Sequence, residues 1–448
     1  MKGKKKIRVY LLTFGVLLTS VACAFSGKPA PTPTVTILPI LPTSTIASSG
    51  VVETPGSVPE TQPPTPDTGA LIVAYTNENN VSIWLQGAIK QLTTSSVAYE
   101  PRLSPDGKII AFLRTIDAFH LEIWAVDSNG ENQRRLVGVE DLDAIGGGVR
   151  DPAALAIIPY RFRWIPGSHN LAFNTQQVFQ GPGVSLLNDL HVVDADNLQI
   201  NHLFLSGWGG EFFCSPDGSQ IAISQPDQIL LSNADGSQYR SALRYDPVTT
   251  YSEYRFYARP VWAPDGSFLL AAIPPVDPLA QPPQATEIWR ISADDTSPAL
   301  AGSVFAVPFQ EQSVAFSPDL ERIAFLKETG QPQENLRELH LATVDGLGDF
   351  VYSKASPIVF QSWSTDSTRF VYSTGLAPET WIGSLEETPL GLSPDFNGAQ
   401  GLSWVNSTQF LFWLPAGNGF ELHLADIDGG SKLLDTVFGV RPFFSFHR

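Results

Sequence analysis

The stretch that decides the fold runs from Leu103 to Phe112 and reads LSPDGKIIAF. Its residues 104–107, Ser-Pro-Asp-Gly, have the composition of a tight turn, because proline presets φ, aspartate bonds back to the backbone and glycine tolerates positive φ. The apolar segment IIAF (109–112) is typical of a β-strand. The stretch therefore predicts two strands joined by a short turn.

Parts of this stretch recur along the chain, about every 40–60 residues. The further copies are WIPGSHNLAF (164–173), CSPDGSQIAI (214–223), WAPDGSFLLA (262–271), FSPDLERIAF (316–325), WSTDSTRFVY (363–372) and WVNSTQFLFW (404–413). Each is followed by a second apolar segment, such as EIWAVD (122–127), and by another turn. Four short antiparallel strands in each unit are typical of a β-propeller blade.

The two ends of the repeat region complement each other. Residues 70–93 contain the later strands of a unit without the turn that precedes them, whereas VRPFFSF (440–446) matches a first strand. We therefore predict an all-β fold, a β-propeller of eight four-stranded blades, closed by the C-terminal strand joining the N-terminal blade. Seven blades is the alternative, if the weak unit around Trp164 is an elaborated insertion.

The repeat resembles a known family. The pattern SPDG-x-x-IAF, followed by IW-x-x-D-x-x-G, is similar to the TolB-type, WD40-like propeller repeat, and it covers Leu71 to Phe446. The units at 164 and 404 depart from it, since they lack Asp-Gly. The resemblance implies the propeller fold, and propellers of this type serve as protein-binding modules, as enzyme gates and as sugar-binding domains.

The N-terminal region has a different composition. Basic residues precede the apolar run VYLLTFGVLL (9–18), so residues 1–22 predict a secretory signal peptide. Cys23, after Val21-Ala22, resembles the lipidated cysteine of a bacterial lipobox, although Ser20 stands where leucine is preferred. Residues 23–69, rich in Pro, Thr and Ser, predict a lipidated N-terminus and disordered tether, and residues 70–448 the propeller. We expect a membrane-anchored, extracytoplasmic protein, with a secreted protein as the alternative.

Charge and composition restrict the partners. A net charge of −17 argues against a nucleic-acid partner, whose phosphates require a basic surface. Just before the turn, each unit has a packing position, and Cys214 occupies it where other units carry Trp or Phe. His191, His340 and His423 similarly align with tryptophans of other units, which favours packing over metal ligation. We expect no metal site and no cofactor.

Charged residues recur three positions before the packing position. They are Glu100, Arg161, Glu211, Arg259 and Arg441. By the repeat phase, they lie at the mouth of the central channel, on the face that also carries the long loops 138–160, 174–189, 244–258, 274–284 and 327–336. These charges either pair with one another or bind an anionic or peptide ligand.

The leading functional hypothesis is a non-enzymatic binding module. Its partner would be an envelope protein, a peptide or a cell-envelope glycan, bound at the long loops. No catalytic motif supports enzyme activity, and we expect no separate hydrolase domain beside the propeller. The alternative is a carbohydrate-active lyase or hydrolase with its site in the channel, for which Glu100 and Glu211 are the candidate carboxylates.

Overall fold

A computed structural model of the chain describes residues 69–181, 184–294, 296–307, 313–329, 336–392, 396–428, 430–439 and 443–448. The predicted signal peptide, the predicted lipidation site Cys23 and nearly all of the predicted tether lie outside the described residues. In the described part, the strands form eight antiparallel sheets, which we number as blades 1 to 8.

The first four blades contain the N-terminal half of the fold. Blade 1 begins with β1 (Ile72–Asn77), β2 (Asn80–Leu85) and β3 (Ala88–Gln91). Blade 2 consists of β4 (Ala98–Leu103), β5 (Ile109–Thr115), β6 (Leu121–Asp127) and β7 (Arg134–Val137). After helix α1 (Val139–Gly146), blade 3 comprises β8 (Ala156–Trp164), β9 (Asn170–Val178), β10 (Val184–Leu186), β11 (Leu190–Asp194) and β12 (Ile200–Phe204). Blade 4 consists of β13 (Glu211–Cys214), β14 (Gln220–Gln225), β15 (Gln228–Asn233) and β16 (Arg240–Arg244).

The remaining blades follow the same order. Blade 5 consists of β17 (Val261–Trp262), β18 (Phe268–Ile273), β19 (Thr286–Ser292) and β20 (Ala299–Val304). Blade 6 consists of β21 (Val314–Phe316), β22 (Arg322–Glu328), β23 (Arg337–Thr343) and β24 (Phe350–Ala355). Blade 7 consists of β25 (Ile358–Trp363), β26 (Arg369–Thr374), β27 (Glu379–Ser384) and β28 (Leu390–Gly391). Blade 8 consists of β29 (Gln400–Trp404), β30 (Gln409–Ala416), β31 (Gly419–Asp426) and β32 (Ser431–Val437).

The last strand closes the ring. β33 (Phe444–His447) pairs with β1 in antiparallel register, from Ile72 opposite His447 to Tyr75 opposite Phe444. It is the innermost strand of blade 1, so this blade contains both ends of the folded part. The predicted eight-bladed propeller and its closure are therefore confirmed. The unit around Trp164 is a full blade, elaborated by β10, which pairs with the far end of β9.

The core lies between the blades. Each pair of neighbouring sheets shares a cluster of buried apolar side chains, and the cluster between blades 8 and 1 joins Leu411 and Trp413 to Val73 and Tyr75. Strands in the middle of a blade are buried, whereas outer strands such as β3 are exposed. Burial of these side chains against the next blade is the main stabilising contribution.

The Ser-Pro-Asp-Gly turns form as the sequence predicts. Gly107 has φ +71°, its N–H donates to the carbonyl of Ser104 at 2.9 Å, and the Ser104 hydroxyl donates to Asp106 at 2.8 Å. Where glycine is missing, Leu320 and Ser367 take the same left-handed conformation, with φ +58° and +62°. Across the described part of the chain, no helix is long and apolar enough to cross a membrane.

Candidate functional site

The strand order determines which connections share a face. Within each blade the strands are antiparallel, so the turns between first and second strands, and between third and fourth strands, lie together on one face. The connections between second and third strands, and between consecutive blades, lie on the other. We call this second surface the long-loop face, since the described residues of all five long segments singled out in the sequence lie in its connections or in the strand ends next to them.

Neighbouring loops of this face hold one another in place. The Tyr257 hydroxyl donates to Asn188 Oδ1 at 2.9 Å, which joins the loop before blade 5 to the β10–β11 connection of blade 3. The backbone N–H of Thr249 donates to the carbonyl of Val276 at 2.8 Å. Near α1, the N–H of Asp151 donates to the Gln177 side chain at 2.6 Å. The loops of blades 2 to 5 thus form a connected surface.

Exposed apolar side chains are concentrated on the long-loop face. Of the 22 large apolar residues exposed in the described part of the chain, seven lie in strands and only Leu198 and Leu347 lie in turns of the opposite face. The other 13 lie in connections of the long-loop face: Ile116, Phe119, Val149, Leu155, Leu205, Trp208, Tyr251, Tyr254, Val276, Leu279, Phe305, Leu376 and Phe438. Such a concentration is typical of interaction surfaces.

Two of the predicted site residues form an ion pair. Arg161 Nε lies 3.1 Å from Glu211 Oε2, and the two residues belong to neighbouring blades 3 and 4. The Tyr160 hydroxyl lies 3.4 Å from Glu211 Oε1, and Glu211 is only 6% exposed. The Arg161 backbone N–H donates to Asn174 Oδ1 at 3.0 Å. Here the charges pair with one another, as one of the two sequence interpretations holds.

The other predicted site residues are placed differently. The backbone of Glu100 has φ +52°. Its Oε2 lies 3.7 Å from Nη2 of Arg102, a residue of the same strand. Arg259 is exposed and lies just before β17, and its positive charge contributes to lowering the pKa of Arg163. Arg441 lies outside the described residues. The structure therefore brings Arg161 and Glu211 into contact, while Glu100 pairs within its own blade.

The sequence analysis missed Arg102 and Arg163. Both stand one residue before the packing position, two residues after Glu100 and Arg161 respectively. Arg102 lies against two aromatic rings, with its Cζ 5.0 Å from the centres of both Phe162 and Phe443. Side chains two apart on a regular strand point the same way, so the R-x-R spacing of Arg161 and Arg163 already carried the signal. The bulge at Glu100 breaks this alternation, so the spacing of Glu100 and Arg102 did not.

The aligned histidines are packing residues. His340 stacks on Phe325 with ring centres 5.2 Å apart, and His423 stacks on Phe412 at 5.4 Å. His423 also lies 3.0 Å from Glu421, and the equivalent Trp124 donates to Glu122 at 2.7 Å. A carboxylate two residues earlier thus accepts the ring N–H of either residue type. Among the described residues, no group of three or more His, Cys, Asp or Glu could hold a metal ion.

A polar cavity lies on the face opposite the long loops. It measures about 720 Å³ and lies between the turns of blades 2 and 3. His169 forms part of its wall, with Nδ1 2.9 Å from Asp196 and Nε2 3.2 Å from Asp106. Arg134 contacts Asp127 at 2.9 Å. The cavity is lined by ion pairs that already satisfy one another.

Comparison with known proteins supports the fold. No protein family model and no curated protein matches this sequence. A crystal structure of the eukaryotic initiation factor aligns with a TM-score of 0.50 and 13% identity, over 83% of this chain and 85% of that one. The likeness is one of fold.

Two further structures align less closely. One comes from a study of two prolyl endopeptidases, with a TM-score of 0.49 and 12% identity, over 78% of this chain and 50% of that one. The other is TolB from Acinetobacter baumannii, with a TM-score of 0.32 and 14% identity, over 64% of this chain and 63% of that one. The chain thus spans half of the endopeptidase and under two thirds of TolB.

Proposed function

We propose that this chain is a binding module, tethered to a membrane outside the cytoplasm, that holds a protein, peptide or cell-envelope glycan on its long-loop face. The observation that carries the proposal is the uneven distribution of exposed apolar side chains: among the described residues, 13 lie in connections of the long-loop face and two in turns of the opposite face. The free energy falls when a partner covers apolar groups that are exposed to water.

A protein partner fits the surface best among the three classes. Seven of the 13 side chains are aliphatic, among them Leu205, Leu279 and Leu376. Aliphatic groups match the apolar side chains of another polypeptide, whereas hydroxyl groups of a glycan would lose water there without gaining hydrogen bonds. The interlocked loops limit the entropy lost when the partner binds.

Membrane tethering is the second part of the proposal. It rests on the basic and apolar residues before Cys23 and on the lipobox-like Val21-Ala22-Cys23. A lipid on Cys23 would place the full-length chain in the membrane fraction, and Cys23→Ser would release it into the soluble fraction. If both chains remain in the membrane fraction, another segment anchors the protein.

The binding surface is tested by two matched double variants of the full-length chain. Leu205→Ser with Leu279→Ser alters the long-loop face, and Leu198→Ser with Leu347→Ser alters the opposite face; all four leucines are exposed. Each chain is crosslinked in its own membrane to envelope proteins and sugars. We expect the first variant to lose capture by about tenfold or more and the second to keep it.

Two outcomes would change the assignment. Equal capture by both variants would overturn the long-loop face as the binding surface. If the captured polysaccharide is instead cleaved, and Glu211→Gln abolishes the cleavage, the chain is the carbohydrate-active enzyme of the alternative hypothesis.

A further inference from the structure

The inner strands of blades 2 to 4 and the residue Arg259 before blade 5 together carry more arginines than carboxylates, although the whole chain has a net charge of −17. We call the charged residues at these positions the arginine cluster: Glu100, Arg102, Arg161, Arg163, Glu211 and Arg259. Four arginines against two glutamates give the cluster a net charge of +2. A positive region within a negative chain attracts anionic ligands.

Part of the hydrogen-bonding capacity of the cluster is unused. Arg161 is paired with Glu211, but within the described residues Arg163 and Arg259 form no ion pair and no side-chain hydrogen bond. The buried Nε of Arg102 also has no acceptor in the part of the chain that the structure describes. Each guanidinium carries five N–H donors and accepts nothing, so the free positions can be satisfied only by water or by a ligand with acceptor oxygens.

The arginines also lie near enough to repel one another. Burial lowers the pKa of Arg102, and the charges of Arg163 and Arg161 lower it further, against the opposing effect of Glu100. Arg163 is exposed by surface area, yet protein atoms surround it closely enough that burial lowers its pKa, as do the charges of Arg161 and Arg259. An anion in the cluster would relieve this repulsion.

Aromatic rings hold two of the guanidinium groups. Arg102 contacts Phe162 and Phe443, and Cζ of Arg163 lies 5.9 Å from the ring centre of Phe213. A guanidinium that stacks on a ring keeps its in-plane N–H groups free to donate. That fork matches the two oxygens of a carboxylate.

We propose that the arginine cluster binds carboxylate groups of an acidic polypeptide segment, in the partner that the long-loop face holds. The inference rests on the proposed function. It favours a polypeptide over an acidic glycan because Arg259 directly follows the loop 244–258, which is hydrogen-bonded to the connection that carries the exposed aliphatic residues Val276 and Leu279. An acidic segment flanked by apolar residues would fill the cluster and cover this surface together.

The test uses a fluorescent hexaglutamate peptide and the full-length chain in detergent. Arg163→Gln with Arg259→Gln removes two charges that have no ion-pair partner among the described residues, and keeps an unbranched polar side chain at both positions. Arg290→Gln is the single-charge control outside the cluster, because Arg290 is exposed and its Cζ lies 3.3 Å from the Phe268 ring centre. We expect the double variant to weaken hexaglutamate binding by about tenfold or more, the control to leave it unchanged, and added salt to weaken it.

Three results would overturn the inference: no binding of hexaglutamate, equal binding by the double variant and the control, or equal binding of hexaglutamine. Binding of an oligogalacturonate with no binding of hexaglutamate would replace the polypeptide by an acidic glycan. Thermal unfolding of each variant checks that it is folded. If the double variant keeps envelope capture while the Leu205 and Leu279 variant loses it, the inference fails and the proposed function stands.

Discussion

Cys214 shows how one position can change residue type without changing its role. Four blades place tryptophan at the equivalent packing position, and Cys214 packs there against the apolar cluster between blades 3 and 4. Burial raises the pKa of its thiol to about 11, although the charge of Arg163 opposes the shift. The thiol is therefore largely protonated near neutral pH and is a poor nucleophile.

The rate of alkylation of Cys214 measures how far its thiol is kept protonated. In a Cys23→Ser chain, iodoacetamide at about pH 8 should modify Cys214 on the order of 100-fold more slowly in the folded protein than in urea, because two units of pKa reduce the thiolate by that factor. Equal rates in the two states would contradict the packing role.

His169 links blades 2 and 3 through an interaction that depends on pH. Burial alone would lower its pKa, but hydrogen bonds with Asp196 and Asp106 raise it above the ordinary value of 6.5. A group whose pKa is raised on folding stabilises the folded state below its unfolded pKa, and that stabilisation is lost as pH rises through the folded pKa. Protonated His169 therefore contributes stability in mildly acidic solution.

The variant His169→Gln tests this linkage. Near pH 5.5 it should unfold with a free energy about 1 kcal/mol below that of the original chain, and the difference should vanish near pH 9. Chemical denaturation across this range gives both values. Asp196→Asn should reproduce the pH dependence in part, whereas a difference that is constant with pH would reject the ion pair as its cause.

At the level of single residues, the sequence predicted the charged positions but not their partners. Glu100, Arg161, Glu211 and Arg259 could be found because the repeat aligns them. That Arg161 meets Glu211 of the next blade, while Glu100 meets Arg102 of its own, depends on side-chain directions that a repeat alignment does not contain.

Among the elements, tryptophans at the packing position connect one blade to the previous one. Trp164, Trp262 and Trp363 each donate their ring N–H to a carbonyl on the innermost strand of the preceding blade, at 2.8 to 3.0 Å. Trp404 occupies the same position, but its buried Nε1 has no acceptor among the described residues. The contact of blade 7 with blade 6 thus has a tryptophan hydrogen bond that, among the described residues, the contact of blade 8 with blade 7 lacks.

A comparison of Trp363 with Trp404 isolates the contribution of the hydrogen bond made by the ring N–H. Trp363 and Trp404 are 7% and 6% exposed, and each lies edge-on to a phenylalanine, at 5.1 and 5.4 Å. Substitution by phenylalanine removes similar volume from both sites. We expect Trp363→Phe to lower the free energy of unfolding by about 1–2 kcal/mol more than Trp404→Phe. Equal losses would show that the bond contributes nothing.

Elements were predicted wherever local chemistry specifies them. The Ser-Pro-Asp-Gly turns and the strand pairs follow from residues adjacent in the chain, so the blade count came out correctly. The exceptions are α1 and β10, which lie in connections without the repeat pattern. The spacing of a carboxylate two residues before Trp124 or His423 was visible in the sequence but had no meaning until the rings were placed.

For the molecule as a whole, closure of the ring depends on β33. Val73 and Tyr75 of β1 are fully buried between this strand, β2 and blade 8. The Ser445 hydroxyl also accepts a hydrogen bond from the Leu103 N–H of blade 2 at 3.0 Å. The strand therefore stabilises three blades at once.

A chain that ends at Phe443 should lose this closure. Because the buried side chains of β1 would become open to water, we expect a thermal midpoint lower by about 10 °C or more and increased binding of a hydrophobic dye. Ser445→Ala is the control, since it removes one hydrogen bond and keeps the strand, and it should cost about 1 kcal/mol. An unchanged midpoint in the shortened chain would show that the ring stays closed without β33.

The pairing of β33 with β1 also sets an order of assembly. Ribosomes make β1 before the other strands and β33 after β1 to β32, so blade 1 waits with three strands and an unpaired edge while the rest of the chain is made. An unpaired edge invites pairing with other chains. Completion of the ring joins residues more than 360 positions apart, which makes it a slow, late event. Until β33 pairs with β1, the final seam of the ring stays open to other chains.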